Sequence, residues 1–348
     1  MTHASVYIVT GGCGFVGGNL VGELQRREPG CRVIVVDDFR SGSFSVLVRA
    51  CDRVSGEPFR GEVIPEPTHA IDWTALVGLE QPRAVFHMGA ITDTTLDDEA
   101  EMILANVGGF EEMLESCDDA QIPLVYASSA ATYGTPPEAH EHRPFLEPSA
   151  GRPDNVYGFS KWVMENTHRR FAERRSREGG DTPRAVGLRF FNVFGAGEEN
   201  KGHMASMARQ LADRMLRGER PRLFDPGDQV RDQVPVEDVV DCVLASAGEG
   251  VTPGVYNLGS GRATSFNELC AAVREGLGFS ESERPIEYFE MPERIRGFYQ
   301  CFTQADMSAA RAGLGWSPTR DPLESLRGYG VWLREQYERA GAHDRVIA

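Results

Sequence analysis

Val6-Tyr-Ile-Val-Thr10-Gly11-Gly-Cys-Gly14-Phe15-Val16-Gly17 decides the fold. A β-branched and aromatic run ends at Thr10, glycines follow at 11, 14 and 17, and a helix-like stretch continues from Asn19 to Arg27. Strand, glycine turn and helix in direct succession raise such a motif above coincidence. The glycines permit a tight turn, let backbone approach a pyrophosphate, and let the helix pack close to the strand. Taken without its flanks, the motif reads equally well as a structural turn. The next strand, Arg32 to Val36, ends in Asp37-Asp38, at about the 20-residue interval where a carboxylate accepts the ribose hydroxyls of an adenine dinucleotide. Two carboxylates favour NAD, whereas Arg40 just beyond suits the extra phosphate of NADP, and at this point both stay open.

Working outward, Ser41 to Asp72 is punctuated by Pro and Gly and reads as a loop-rich excursion around a weak strand at Glu62 to Ile64. A buried strand at Ala84 to His87 runs into Met88-Gly89-Ala90, small residues that let backbone pass close to a dinucleotide. His87 reads as a packed strand-end histidine, since no second His or carboxylate stands at metal spacing. One helix is predicted over Asp97 to Cys117, carrying Asn106. The strand Pro123 to Ala127 delivers Ser128-Ser129, and a hydroxyl at the carboxyl end of a sheet strand projects into a ligand crevice; ordinary turn chemistry also puts serine there. Glu173 to Asp181 reads as a solvated turn, and a strand from Ala185 to Arg189 leads into Phe190-Phe-Asn192-Val193-Phe-Gly195.

Strands alternating with helices predict an α/β fold: a Rossmann-like, doubly wound parallel sheet. Beyond Asn192 the strands thin out. The boundaries read as a dinucleotide-binding domain over residues 1–191 and a smaller C-terminal α/β substrate lobe over 192–348, with some segments returning to the sheet. A terminal amphipathic helix is predicted from Leu323 to Arg339.

The chemistry concentrates in Asn155-Val-Tyr157-Gly-Phe-Ser-Lys161. On a helix, residues four apart share a face. A phenol titrates near pH ~10 in water, and a neighbouring ammonium lowers that, so the pair reads as a tuned acid/base. A surface tyrosine above a lysine is the plainer reading of the spacing alone. Composition shifts the balance. Lys161 and Lys201 are the only lysines, and all the other positive side chains among the 36 Lys and Arg are arginines. Where charge alone suffices the chain uses Arg, which stays protonated; lysine is the residue that can titrate.

A formal charge of −16 argues against nonspecific nucleic-acid or anionic-membrane binding, because phosphates would be repelled. Seven scattered cysteines, with no C-x-x-C pair, imply neither a disulfide framework nor a metal site, and read as buried thiols of a reducing compartment. No apolar run reaches transmembrane length, and the N-terminus enters a strand within a few residues, so the expectation is a cytoplasmic protein without membrane partners.

With the glycine turn, the Ser129 strand end and the Tyr157/Lys161 pair in this order, the chain resembles the extended short-chain dehydrogenase/reductases over essentially its whole length. Within them, Lys201-Gly-His-Met-Ala-Ser and Phe302-Thr-Gln-Ala-Asp look like the branch of nucleotide-sugar epimerases that act on ADP-glyceromanno-heptose at C6″. The resemblance implies Tyr157 and Lys201 as two acid/bases, Lys161 on the nicotinamide ribose, and Ser129 as hydroxyl partner of the reacting oxygen. It also implies Phe15, Val16, Asp37, Asp38, Asn106 and Val193 toward the cofactor, and Asn192, His203, Phe224, Arg231 and Tyr299 toward an ADP-heptose-type nucleotide-sugar. A homo-oligomer follows from the same likeness. Gln210 departs from it, standing where a histidine often contacts substrate. The rival functions are a UDP- or GDP-sugar 4-epimerase, which has no evident use for Lys201, a 4,6-dehydratase, which lacks its carboxyl pair here, and an idle dinucleotide sensor.

Overall fold

Within each strand of the N-terminal half, neighbouring apolar residues go to opposite faces of a sheet, as the strand period of two requires. Ile8, Ile34, Val85 and Leu124 enter one core with Trp73, Phe110 and Met164. Val9, Val35, Phe86 and Val125 enter another with Leu20, Leu24 and Val239. Both faces are covered, which is why these strands read as continuous hydrophobic runs.

The computed structural model describes residues 4–93, 96, 98–135, 142–293 and 299–347. In chain order the elements begin β1 (Val6–Thr10), α1 (Phe15–Arg27), β2 (Arg32–Val36), α2 (Phe44–Ser55), β3 (Gly61–Ile64) and α3 (Trp73–Glu80). They continue β4 (Ala84–His87), α4 (Glu99–Val107), α5 (Phe110–Asp119), β5 (Leu124–Ser129), α6 (Val156–Arg177) and β6 (Ala185–Phe190). The second half holds β7 (Asn192–Phe194), α7 (Met207–Leu216), β8 (Arg222–Phe224), β9 (Val230–Pro235), α8 (Val236–Ala245) and β10 (Gly254–Leu258). Last come β11 (Ala263–Ser265), α9 (Phe266–Gly276), β12 (Glu287–Phe289), α10 (Ser308–Leu314) and α11 (Pro322–Ile347).

Seven strands form one parallel sheet in the order β10-β6-β5-β4-β1-β2-β3. The winding reverses between β1 and β4, which places a ligand crevice beyond their carboxyl ends. Thr10-Gly11 and His87-Met88-Gly89 stand at that point. β10, from the C-terminal half, supplies one edge of the sheet. Two smaller sheets, β11-β9-β7 and β12-β8, accompany a third core in which Phe194, Leu211, Leu269, Val273, Leu326 and Leu333 meet.

Three expectations are corrected. The excursion after Ser41 contains α2, because Ser43 caps it by accepting from the Val46 N–H (3.3 Å) and Val46, Leu47, Ala50 and Cys51 recur on one buried face. The single helix over Asp97 to Cys117 is two helices, since Gly108 ends α4 and Gly109 is left-handed at φ 77°; Asp97 itself lies outside the described residues. The turn expected from Glu173 begins only after Arg177, where α6 ends. Of the cysteines, six are buried and Cys301 is exposed. Among the described residues no helix is long and apolar enough to cross a membrane, and no three His, Cys, Asp or Glu are grouped to hold a metal ion.

Candidate active site

A cavity of about 1060 Å³ opens at the winding reversal. Its floor is the glycine turn. Gly11 sits at φ 67°, a conformation costly for any side chain, and a Cβ there would lie 2.6 Å from the Gly89 Cα. A Cβ on Gly17 would fall on the Gly11 carbonyl oxygen. Gly14 is the N-cap of α1 yet offers no side chain to its amides, and the first turn carries no acidic residue. The N–H groups of that turn, with the positive end of the helix dipole, remain for an anion. Gly11, Gly14, Phe15, Val16 and Gly17 all line the cavity, as do Met88, Gly89 and Ala90. A cradle that side chains would fill, under an uncapped helix, fits a dinucleotide pyrophosphate.

At the end of β2, Asp37 accepts the Cys13 and Phe39 N–H groups (2.9 Å each). Burial holds its carboxyl above the usual range, against the pull of those two amides. Asp38 accepts the Arg40 N–H (3.1 Å) and its Nε (3.3 Å), and the Arg40 guanidinium also bonds Glu101 on α4. Asn106 is buried behind the wall and does not line the cavity: it donates to the Ile91 carbonyl (3.0 Å) and Ser160 Oγ (3.0 Å), and accepts the Ile91 N–H (2.7 Å). It holds the loop after β4 against α6.

β5 delivers Ser129, and α6 delivers Tyr157 and Lys161, capped at its start by Asn155, which accepts the Gly158 N–H (2.8 Å). Gly158 lets α6 approach the Ala131 carbonyl oxygen, 2.6 Å from where a Cβ would be. The Ser129 hydroxyl faces the Tyr157 phenol and acts to lower its pKa. Burial raises the Tyr157 phenol above its ordinary value, with Ser129 working against the rise, and pushes Lys161 down to about 7. This corrects the expectation that Lys161 lowers Tyr157: desolvation favours the neutral form of each, and it is the larger effect. Lys161 is 2 % exposed.

Helix α6 also carries a residue that the sequence reading passed over. Glu165, one turn beyond Lys161, is fully buried and accepts Ser128 Oγ (2.6 Å) and both Arg189 Nε (2.9 Å) and Nη2 (2.7 Å). The spacing 157, 161, 165 was the available signal. A paired, hydrogen-bonded carboxylate of this kind fixes α6 on β5 and β6.

The segment before α7 supplies the far part of the cavity. Lys201 lines it, with its Nζ 5.7 Å from the centre of the Phe15 ring. Burial lowers its pKa and Glu198 opposes the fall. Asn192, Val193 and His203 line the cavity too, and His203 Nε2 lies 3.5 Å from Asp93 Oδ2. Gln210 does not reach the cavity; its Nε2 donates to the His203 (3.1 Å) and Ala205 (2.8 Å) carbonyls and braces the segment.

Phe224, Arg231 and Tyr299 stand together just outside. The Arg231 guanidinium lies 5.0 Å from the Tyr299 ring and 5.8 Å from Phe266, which lines the cavity, and Phe224 meets Tyr299 edge-on at 5.5 Å. Arg231 has no ion-pair partner among the described residues, and burial lowers its pKa.

The pattern of the NAD dependent epimerase/dehydratase family matches residues 7–259. The chain belongs to that family. An ADP-L-glycero-D-manno-heptose-6-epimerase of Alkalilimnicola ehrlichii is 38% identical over 315 residues, 88% of this chain and 90% of that one. The crystal structure of the Helicobacter pylori ADP-L-glycero-D-manno-heptose-6-epimerase matches with TM-score 0.77 at 30% identity, covering 94% of this chain and 95% of the other. The UDP-glucose 4-epimerase of Thermotoga maritima, solved with UDP-glucose, matches with TM-score 0.77 at 26% identity, over 95% and 99%. As a member of the NAD dependent epimerase/dehydratase family the chain is an isomerase built around a nicotinamide dinucleotide, and the glycine cradle is where the family's cofactor fits.

Proposed function

We propose that the protein converts ADP-D-glycero-D-manno-heptose to ADP-L-glycero-D-manno-heptose by inverting C6″ through a transient ketone. The observation that carries this reading is that the only two lysines of the chain line one cavity together with Tyr157. The relatives named for this epimerisation add support. A nicotinamide dinucleotide held in the glycine cradle would supply reversible hydride transfer at the carbinol carbon.

The chain's own residues handle the protons. Inversion presents the sugar oxygen in two positions, so two groups must exchange its proton. Tyr157, oriented by Ser129, serves one, and Lys201 from the segment before α7 serves the other. Lys161 binds the nicotinamide ribose. Pushed down to about 7 by burial, its amine can take up or release a proton near neutrality beside Tyr157. Asn192 and His203 orient the sugar, Arg231 receives the diphosphate, and Phe224 and Tyr299 flank it. Arg suits that task because its fork bonds phosphate oxygens in pairs.

We read the cofactor as NAD, retained through turnover. Support comes from Arg40, whose guanidinium is already bonded by Asp38 and Glu101 and so is not free to receive a 2′-phosphate beside Asp37. The same reading carries a homo-oligomer, for which Leu104 on α4 and Phe159 on α6, both exposed, offer apolar contact. The test is incubation with ADP-D-glycero-D-manno-heptose and chromatography of the product. Appearance of the L-glycero epimer is expected; turnover only of a UDP- or GDP-hexose would replace this reading with a 4-epimerase.

A further inference from the structure

The segment that carries Lys201 has little regular structure of its own. It is a short 3-10 stretch, Glu199–Met204, broken at Gly202, whose φ of 52° and ψ of −125° are not helical. Such a stretch cannot hold a reacting amine in place by its own hydrogen bonds. What closes it is Glu198. This carboxylate is 1 % exposed, and Oε2 accepts the Ser206 N–H (2.6 Å) while Oε1 accepts Ser206 Oγ (2.7 Å) and the Tyr329 hydroxyl (2.8 Å). The backbone adds a turn, with the Lys201 N–H donating to the Glu198 carbonyl (3.1 Å). One side chain thus joins the two ends of the loop and ties them to α11.

The contacts are those of an ionised carboxylate, which accepts and does not donate. No Arg, Lys or His nitrogen lies within ion-pair distance of it among the described residues. A buried charge of this kind is costly unless hydrogen bonds and a nearby opposite charge compensate it. Its charge acts on Lys201, and Arg209 reaches the same group of side chains through Tyr329.

We propose that Glu198 is the positioning residue for Lys201: it closes the 198–206 loop, anchors it to Tyr329 on the terminal helix, and so presents the amine to the cavity. The inference rests on the reading of Lys201 as an acid/base, but its test does not. Other titratable groups near the segment are Glu199 beside it, the His203–Asp93 pair, Tyr329 and the Arg209 that interacts with it, and Tyr157 and Lys161 across the same cavity. Of these only Glu198 is fixed to both ends of the loop.

The experiment uses the full chain labelled with ¹³C-lysine, which gives two side-chain Cε resonances because there are two lysines. Lys201→Arg assigns them. In Glu198→Gln, which keeps the size of the side chain and removes its charge, the Lys201 resonance is expected to titrate at lower pH while Lys161 stays in place. Turnover is expected to fall about tenfold or more with unchanged affinity for the dinucleotide, within the range of one acid/base contribution. If Glu198→Gln does not accumulate, Tyr329→Phe removes the tether to α11, together with the hydroxyl's contact to Arg209, and is expected to shift or broaden the Lys201 resonance alone. Both lysines titrating as in the parent protein, or both moving together, would overturn the proposal. Absence of heptose turnover in every variant and the parent, with the Lys201 resonance still moved, would sink the epimerase reading and leave Glu198 in its role.

Discussion

Lys161 and Lys201 line one cavity from separate elements, the first on helix α6 and the second on the segment before α7. Burial lowers the pKa of both. Two titratable amines meeting in a chain otherwise furnished with arginine is a chemical arrangement, because a fixed positive charge needs no lysine.

Removing either proton-handling group should therefore stop turnover without emptying the dinucleotide site. Tyr157→Phe and Lys201→Met are each expected to lose about 10²–10⁴ in rate. Co-purifying dinucleotide, read by absorbance and mass, should be unchanged in both. Lys161→Met should differ from them by losing dinucleotide as well as rate.

Arg40 makes the cofactor preference testable. Replacing Asp38 by Asn and Glu101 by Gln frees its guanidinium from both carboxylates. A hydrogen bond to a charged group is worth about 1.5–3 kcal/mol, so the double variant should gain roughly tenfold to a hundredfold in NADP affinity relative to NAD. Calorimetric titration of the two dinucleotides checks this; an unchanged ratio would mean that Arg40 does not face the ribose.

Much of this was legible beforehand. The sheet, the glycine turn and the Tyr157/Lys161 pair follow from local pattern, since strand period, backbone freedom and helical spacing are properties of neighbouring residues. Every strand expected in the first half is present, from Val6 to Phe190. Helix α2 was not legible, because Ser, Arg and Asp on its exposed face masked a buried stripe of only Val46, Leu47, Ala50 and Cys51. Nor were the partners of Glu165, Glu198 and Asn106, since a hydrogen bond to Arg189, Tyr329 or Ile91 is a tertiary fact that no spacing encodes. The upward shift of Tyr157 was missed for the same reason: desolvation depends on what the fold packs around a group.

Acid should destabilise the fold. Burial pushes His87 down to about 3, with Lys161 adding to the effect, and His168 down to about 4, with Arg169 adding. Between an unfolded value of ~6.5 and these folded values the unfolded chain binds protons that the folded chain refuses, so stability falls as pH falls. Asp232, pushed up to about 6 by burial, acts in the opposite sense between its ordinary value and 6. Asp37 and Asp118, also raised, act with Asp232, whereas Glu23, Glu28, Asp306 and Asp321, held below their ordinary values, act with the two histidines, and the balance is loss of stability in acid. The melting temperature should drop on going from pH 6.5 to 4.5, and His168→Gln should make the drop shallower. An equal slope in the variant would remove His168 from the account.

Two glycines separate cradle from scaffold. Gly17→Ala drives a methyl onto the Gly11 carbonyl and should abolish dinucleotide binding. Gly78→Ala, where nothing lies within 4 Å of the new methyl on α3, should raise stability by about 0.5–1 kcal/mol and leave binding intact. Thermal melting with and without dinucleotide distinguishes the two.

The most direct measurement is to run ADP-D-glycero-D-manno-heptose with the purified protein in deuterium oxide and take the mass and NMR spectrum of the product. Oxidation and re-reduction at a single carbon, with Tyr157 and Lys201 exchanging only the hydroxyl proton, yields the L-glycero epimer with no deuterium on C6″. Recovery of unchanged substrate, or of an epimer carrying carbon-bound deuterium at C6″, would contradict it.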